Sequence, residues 1–251
     1  MTKKSDLIQP DRGQDAVSIH LVNKAGFDAW AKRLSAGQRA ALAAQKFDGS
    51  GYQIGIVPDG DGWFVVSGVA DPDERSSWCM AKLAESLPAG AYRLASGEPG
   101  AAMHGWQCAQ YRFVRYRDDE KAEGPRVLLT KDVKAIDEAL ALAAAECLVR
   151  DLVNTPAEDM GPAQLEAECE KLVKAHSAKL AVSKGDVLER EYPMVHAVGR
   201  AAAREHAPRL MQLTWGKAGN PVVAIVGKGV CFDSGGLDIK SASGMLLMKK
   251  D

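Results

Sequence analysis

The residue types best suited to chemistry lie near the end of the sequence, after an apolar run. Residues 222–226 are apolar without alternation, which predicts a strand buried on both faces of a mainly parallel sheet. The candidate residues after this run are Lys228, Asp233, Lys240 and Asp251, whereas Asp238 and the Lys249-Lys250 pair are interpreted as solvated charges. Glycines between them allow tight turns and close approach of the backbone to a ligand. Because ligands bind beyond the carboxyl ends of such strands, this segment predicts a binding or catalytic site.

The residue types in this segment indicate metal-assisted hydrolysis. Carboxylates with few or no histidines suit divalent metals that prefer oxygen or are borderline in softness. Lys228 could join them as a neutral amine, since a nearby dication and partial burial both penalise its ammonium form. Lys240 need not be a ligand, because a cation facing the metals would stabilise the oxyanion of a tetrahedral intermediate. The metal would supply the hydroxide.

The same segment resembles the first half of the active site of the leucyl (cytosol) aminopeptidase family of two-metal exopeptidases. The resemblance rests on Gly227-Lys228-Gly229, Phe232-Asp233-Ser234-Gly235-Gly236, Ile239-Lys240 and Met245 through Met248-Lys249-Lys250-Asp251. Residues 151–156 and 159–162 resemble the entry into the catalytic domain of that family.

The resemblance implies a role for each matched residue. Lys228, Asp233 and Asp251 match metal ligands, and Asp233 is the ligand that touches both ions. Lys240 matches the catalytic lysine, and Met248 matches a wall of the pocket for the first side chain of the substrate. Substrate contacts are expected at four positions: Lys228, Asp233, Lys240 and Met248. The implied cofactors are two divalent ions per site, Zn or Mn.

The activity that the resemblance implies is removal of the amino-terminal residue from peptides. In that mechanism the free amine of the substrate binds one ion, a hydroxide bridges both ions, and Lys240 helps to hold the oxyanion. Members of the family are commonly hexamers whose sites face a shared interior. We therefore expect short peptides as substrates and a homo-hexamer as the assembly.

The resemblance also implies that the site is incomplete within this sequence. The second signature of the family, Asn-Thr-Asp-Ala-Glu-Gly-Arg, would follow after Asp251. Lys228, Asp233 and Asp251 are three candidate ligands for two ions, whereas one catalytic zinc normally has about three protein ligands and a water. We therefore expect the 251-residue chain to be inactive alone. A non-catalytic scaffold or oligomer partner is the alternative function, and nucleic-acid binding is a second one.

Composition narrows the class of protein. The 251 residues are 46% hydrophobic and 26% charged, with a formal net charge of -1, which is typical of a globular protein and argues against a nucleic-acid partner. The sequence shows no signal peptide and no apolar stretch long enough for a membrane span, so we expect a cytoplasmic protein. The five cysteines are odd in number and lack a Cys-x-x-Cys pair, which argues against a disulfide framework.

The patterns predict an α/β protein of two domains: a variable amino-terminal α/β domain, residues 1–130, and the first half of a catalytic domain with a mixed, largely parallel sheet, residues 131–251. A charged segment, 118–125, precedes the boundary, and a helix over 131–152 links the domains. Strands are predicted at 16–22, 53–57, 63–69, 91–94, 126–129, 180–182, 209–215 and 222–226. Helices are predicted at 27–45, from Asp73 to 87, and at 102–116, 162–176 and 187–191.

Some histidines and aromatic residues are weaker candidates for a site. His104 lies among aromatic residues of the predicted helix 102–116, where packing against the sheet is a simpler explanation than a binding face. His196 and His206 lack ligand spacing and a companion carboxylate motif, so we interpret them as structural or solvated.

Overall fold

A computed structural model of the protein describes residues 7–117 and 124–248. The chain divides into two compact units, Met1–Leu148 and Val149–Asp251. We had predicted a boundary at residue 130, whereas this division lies inside a long helix, Val133–Asn154. Most of the charged segment that suggested our boundary, residues 118–123, lies outside the described residues.

The first unit contains a six-stranded sheet with the strand order β1-β6-β5-β2-β4-β3. Its strands are β1 Ile8–Pro10, β2 Val17–Val22, β3 Ile54–Asp59, β4 Gly62–Gly68, β5 Gly90–Leu94 and β6 Arg126–Thr130. All neighbouring strands are parallel except β3 and β4, which are antiparallel. A two-residue turn joins that pair, and Gly60 adopts the positive φ of 57° that such turns require. The predicted α/β class with a mixed, mostly parallel sheet is confirmed. The predicted place of that sheet was wrong, because all parallel pairs of the described residues lie in this unit and none lies in 131–248, where we had expected them.

Five helices accompany this sheet in the described residues: α1 Phe27–Ala31, α2 Ala36–Ala44, α3 Ala81–Ser86, α4 Ala102–Ala109 and α5 Val133–Asn154. The prediction of one helix over 27–45 was wrong, because Ser35 starts a new helix. Its hydroxyl accepts from the Gln38 amide at 3.2 Å, and the Gln38 side chain accepts from the Ser35 amide at 3.0 Å. This reciprocal cap satisfies amides that have no partner within the helix.

Two further helix predictions were too long. The helix expected from Asp73 begins at Ala81, because the Asp71 side chain accepts from the amides of Asp73 and Glu74 and holds a turn there. The helix expected over 102–116 ends at Ala109. The side chain of the next residue, Gln110, donates to the Arg126 carbonyl and accepts from the Arg126 amide, each at 2.9 Å. Gln110 is therefore bonded to the first residue of β6 and does not continue α4.

Aromatic side chains anchor the core of the first unit. Tyr92 of β5 and Trp106 of α4 are both 0% exposed, and their rings lie 5.8 Å apart. The Trp106 indole donates to the Arg126 carbonyl at 2.9 Å, and the Tyr92 hydroxyl donates to the Pro88 carbonyl at 2.6 Å. Both polar atoms are therefore satisfied where they are buried. The prediction that aromatic residues of 102–116 pack against the sheet is confirmed for Trp106. It does not hold for Tyr116, which is half exposed.

The second unit has more helix than strand in its described residues, 149–248. Its elements after α5 are α6 Pro162–His176, β7 Lys179–Lys184, α7 Gly185–Glu191, α8 Pro193–Gly199, a 3₁₀ turn Arg204–His206, β8 Arg209–Thr214 and α9 Ala242–Met245. The prediction that Pro162 opens a helix is confirmed, and its missing amide fits that first turn. β7 and β8 form an antiparallel pair. Across the described residues, no helix combines the length and the apolar character that crossing a bilayer requires.

The predicted buried strand over residues 222–226 was wrong. These residues form no strand, and Val222 and Val226 are 94% and 95% exposed. The only strand that pairs with β8 in the described part of the chain is β7, and no strand of residues 149–248 runs beside 222–226. A strand needs lateral hydrogen bonds from a neighbour, so the apolar pattern alone does not form one here.

A buried carboxylate links three elements of the second unit. Glu166 of α6 is 8% exposed and accepts from Lys184 Nζ at 2.6 Å and from the guanidinium of Arg209 on β8. Burial by itself raises the pKa of Glu166, but the hydrogen bonds and charges of Lys184 and Arg209 outweigh burial and hold the pKa below its usual value. Glu166 therefore stays ionised and links α6 to the antiparallel pair of β7 and β8.

We expect Glu166→Gln to lower the free energy of unfolding of the chain at pH 7 by about 2 kcal/mol, because it leaves two cations without their carboxylate. The lowered pKa makes this contribution fully present above the unfolded pKa of about 4.3 and lost as the pH falls through the folded pKa. Urea unfolding at pH 7 and at pH 3 measures both effects. Glu168→Gln is the control, since its partner Lys171 is 59% exposed and the pair should contribute less than about 0.5 kcal/mol. Equal losses in the two variants would contradict the prediction.

Candidate active site

A closed loop brings two of the predicted site residues together. Lys240 Nζ donates to Asp233 Oδ1 at 2.8 Å, and the Lys240 amide donates to the Ser234 carbonyl at 3.0 Å. An isolated antiparallel bridge pairs Gly235 with Ile239 inside the same loop. The backbone contacts therefore position both charged side chains, although the flanking segment has no regular strand.

The loop depends on glycine at position 235. Gly235 has a φ of 106°, and a Cβ atom there would lie 2.4 Å from the Asp238 carbonyl oxygen. Its amide donates to Asp233 Oδ1 at 2.8 Å. A side chain at this position would be strained by the backbone and would press on the opposite strand of the loop.

The electrostatics of the loop keep Asp233 ionised. The hydrogen bond from Lys240 is the main cause that lowers the pKa of Asp233, and the amide of Gly235 and the charges of Lys240 and Lys228 act in the same direction. The side chains of Asp233 and Lys240 remain 46% and 36% exposed. The carboxylate is thus charged and accessible to a dissolved cation.

The structure describes two further predicted site residues, Lys228 and Met248. Lys228 is exposed, and its charge contributes to the lowered pKa of Asp233, so it belongs to the same charged cluster. Met248 follows α9, whose first turn is capped by Ser241 through a bond from the Gly244 amide at 3.1 Å, and its side chain is half-buried. Asp251, the third predicted ligand, lies outside the described residues.

The donor atoms of the loop fit part of a divalent metal site. Asp233 offers a carboxylate and Lys228 an amine, and this set of oxygen and nitrogen donors suits Zn or Mn. Lys240 and Gly235 both donate to one oxygen, Oδ1, of Asp233. A carboxylate has about four lone-pair positions, so these two hydrogen bonds leave acceptor positions on Asp233 that a cation would use.

Sequence reasoning missed the ion pair between Asp233 and Lys240. We had assigned the two side chains separate roles, as metal ligand and oxyanion donor. The Ser234-Gly235-Gly236 segment between them is a turn signal that could have indicated their proximity.

Family models match both halves of the chain. The catalytic domain of the cytosol aminopeptidase family matches residues 147–251, and the amino-terminal domain of the M17 aminopeptidases matches residues 17–129. The probable cytosol aminopeptidase of Leifsonia xyli subsp. xyli is 33% identical over 242 residues, which cover 87% of this chain and 48% of that relative. Peptidase B of Pectobacterium carotovorum is 31% identical over 243 residues, 92% of this chain and 45% of the relative.

Solved structures agree with these matches. The crystal structure of the cytosol aminopeptidase from Coxiella burnetii has a TM-score of 0.86 and 32% identity, covering 98% of this chain and 54% of that one. The bottromycin maturation enzyme BotP in complex with Mn has a TM-score of 0.70 and 28% identity, covering 94% and 52%. Fold and matches thus place the chain in a family whose matched members are named aminopeptidases. The chain belongs to the cytosol aminopeptidase family, M17, and it spans about half the length of these relatives.

We expect Gly235→Ala to raise the pKa of Asp233 toward its ordinary value, because the strained turn no longer holds the Gly235 amide and Lys240 against the carboxylate. A pH titration of the carboxyl ¹³C shift of Asp233 measures the change. Gly236→Ala is the matched control, since Gly236 has ordinary φ and open space around its Cβ position. An unchanged Asp233 pKa in Gly235→Ala would show that this turn does not hold the ion pair.

Proposed function

We propose that this chain contributes the first part of a two-metal aminopeptidase centre that removes amino-terminal residues from short peptides. The observation that carries the proposal is the pair of Asp233 and Lys240, held at 2.8 Å on an exposed loop. This loop lies within residues 147–251, the segment that matches the catalytic domain of the family. A carboxylate and an ammonium on one short loop provide a metal ligand and an oxyanion partner side by side.

In this proposal Asp233, Lys228 and Asp251 hold two divalent ions, Zn or Mn. When bound, the ions would supply the hydroxide and a binding point for the free amine of the peptide. The hydrogen bond to Lys240 keeps the Asp233 carboxylate ionised and ready for a cation. Lys240, whose Nζ lies 2.8 Å from that carboxylate, would donate to the oxyanion that develops on the peptide carbonyl. The solved BotP structure, described as a complex with Mn, supports the metal class.

Substrate size, assembly and location belong to the same proposal. Met248 would line the pocket for the first side chain of the peptide. A homo-hexamer whose sites face its interior would admit short peptides and exclude folded proteins. The names of the relatives, cytosol aminopeptidases, support a cytoplasmic location.

In the protein at the length of its relatives, we expect Lys240→Ala to lower turnover by about a hundredfold, the usual scale for loss of one oxyanion donor. Its metal content should stay nearly unchanged, because Lys240 is assigned as an oxyanion donor and not as a ligand. Asp233→Ala should lose metal together with activity. Metal analysis alongside hydrolysis of an aminoacyl anilide separates the two roles. Loss of an ion in Lys240→Ala, or full metal content in Asp233→Ala, would refute these assignments.

We expect the 251-residue chain alone to show no aminopeptidase activity and to bind zinc weakly in the loop of Asp233. Three candidate ligands are too few for two catalytic ions, and the apolar residues 222–226 before the site are exposed instead of packed in a sheet. An anilide assay with added Zn or Mn tests this, and the protein at the length of its relatives is the positive control. Activity of the 251-residue chain that a chelator removes would overturn this expectation.

A further inference from the structure

A second group of metal-ligand side chains lies within the first unit. His104 and Cys108 are four residues apart on α4 and share one face of that helix, and Glu146 lies on α5. His104 Nε2 lies 2.8 Å from Glu146 Oε2 and 3.8 Å from Cys108 Sγ. All three ligand atoms lie within 4.8 Å of one another, and no other such trio of His, Cys, Asp or Glu occurs in residues 7–117 and 124–248.

The backbone around the group restricts where the imidazole can lie. The amide of Gly105, next to His104, donates to the Ser77 carbonyl at 2.9 Å, and a Cβ atom on Gly105 would lie 2.2 Å from that oxygen. The glycine therefore allows α4 to approach the segment that carries Trp78. The Trp78 ring meets the His104 ring edge-on, with centroids 5.3 Å apart. The imidazole is thus held between an indole and the carboxylate of Glu146.

Burial is graded across the three side chains. Cys108 is 0% exposed, His104 is 19% exposed and Glu146 is 30% exposed in their side chains. The thiol sits at the inner end, and the carboxylate reaches solvent at the outer end. A dissolved ion can therefore reach the group from the side of Glu146 and still have one ligand in the dry interior.

The hydrogen bond between His104 and Glu146 satisfies only one of the two ring nitrogens of His104. Nδ1 of His104 is buried and has no hydrogen-bond partner among the described residues. A buried polar atom without a partner destabilises the fold by about 1–3 kcal/mol. A histidine whose only role was to hydrogen-bond α4 to α5 would carry this cost. Coordination through Nε2 does not give Nδ1 a partner, but the binding free energy of the ion would compensate for the cost.

We propose that His104 Nε2, Cys108 Sγ and the Glu146 carboxylate form a site for one zinc-like divalent ion, with solvent as a fourth ligand. Three protein ligands and one open position are usual for zinc, and mixed sulfur, nitrogen and oxygen donors suit it. In a tetrahedral zinc site neighbouring donor atoms stand roughly 3.3–3.7 Å apart. The nitrogen and oxygen must separate by about half an ångström to reach that spacing. Binding would release the thiol proton, and His104 would carry its ring proton on Nδ1 so that the Nε2 lone pair faces the ion.

Titration of the 251-residue chain with Co²⁺, in a reductant that contains no thiol, tests the site. A thiolate bound to Co²⁺ gives a charge-transfer absorption band, which we expect in the wild type and not in Cys108→Ser. Cys231→Ser is the matched control, because Cys231 lies in the segment proposed for the aminopeptidase centre, and it should keep the band. Absence of the band in the wild type, or a band that persists in Cys108→Ser, would overturn the proposal.

A second variant, Glu146→Gln, tests the site even where Cys108→Ser does not fold. Glu146→Gln keeps the thiol and a polar partner for His104, and we expect it to weaken Co²⁺ binding at least tenfold. Glu138→Gln, at an exposed position of the same helix, should bind Co²⁺ like the wild type. Equal affinities of Glu146→Gln and wild type would exclude Glu146 as a ligand and overturn the three-residue site. The aminopeptidase proposal rests on other residues and is unaffected by this result.

Discussion

The ion pair between Lys240 and Asp233 is the contact on which the candidate active site depends. It spans seven positions of sequence and holds two charged side chains at 2.8 Å where the backbone forms no regular strand. Gly235 makes this possible, because its positive φ turns the chain and its amide supports the same carboxylate oxygen. The pair lowers the pKa of Asp233, so the geometry that positions the carboxylate also keeps it charged.

The same pair gives Lys240 two roles in the proposed function. Lys240 and the Gly235 amide both donate to Oδ1 of Asp233 and keep this carboxylate ionised. The Lys240 ammonium would also donate to the oxyanion of the reaction. One lysine could therefore support a metal ligand and serve the reaction without being a ligand itself.

In the first unit, close packing of α4 positions the residues of the proposed metal site. Gly105 lets α4 lie against the Ser77 carbonyl, and α4 then presents Trp106 to the core and His104 and Cys108 toward α5. The buried indole N–H donates to the Arg126 carbonyl, so this polar atom has a partner inside the core. One short helix thus supports both the hydrophobic core and the proposed metal site.

Local patterns in the sequence determined α6 with its initial proline, most strands of the six-stranded sheet, and the family match of the segment around Lys228, Asp233 and Lys240. These features depend on periodicity, turn residues and spacing, which are local properties of the chain. The tertiary structure decided the rest. Gln110 leaves its helix to pair with Arg126, residues 222–226 stay exposed without a neighbouring strand, and Glu146 meets His104 across 42 positions. Two of these outcomes depend on a partner that is distant in sequence, and one depends on the absence of a neighbouring strand among the described residues. The periodicity of a segment carries no information about distant partners or neighbouring strands.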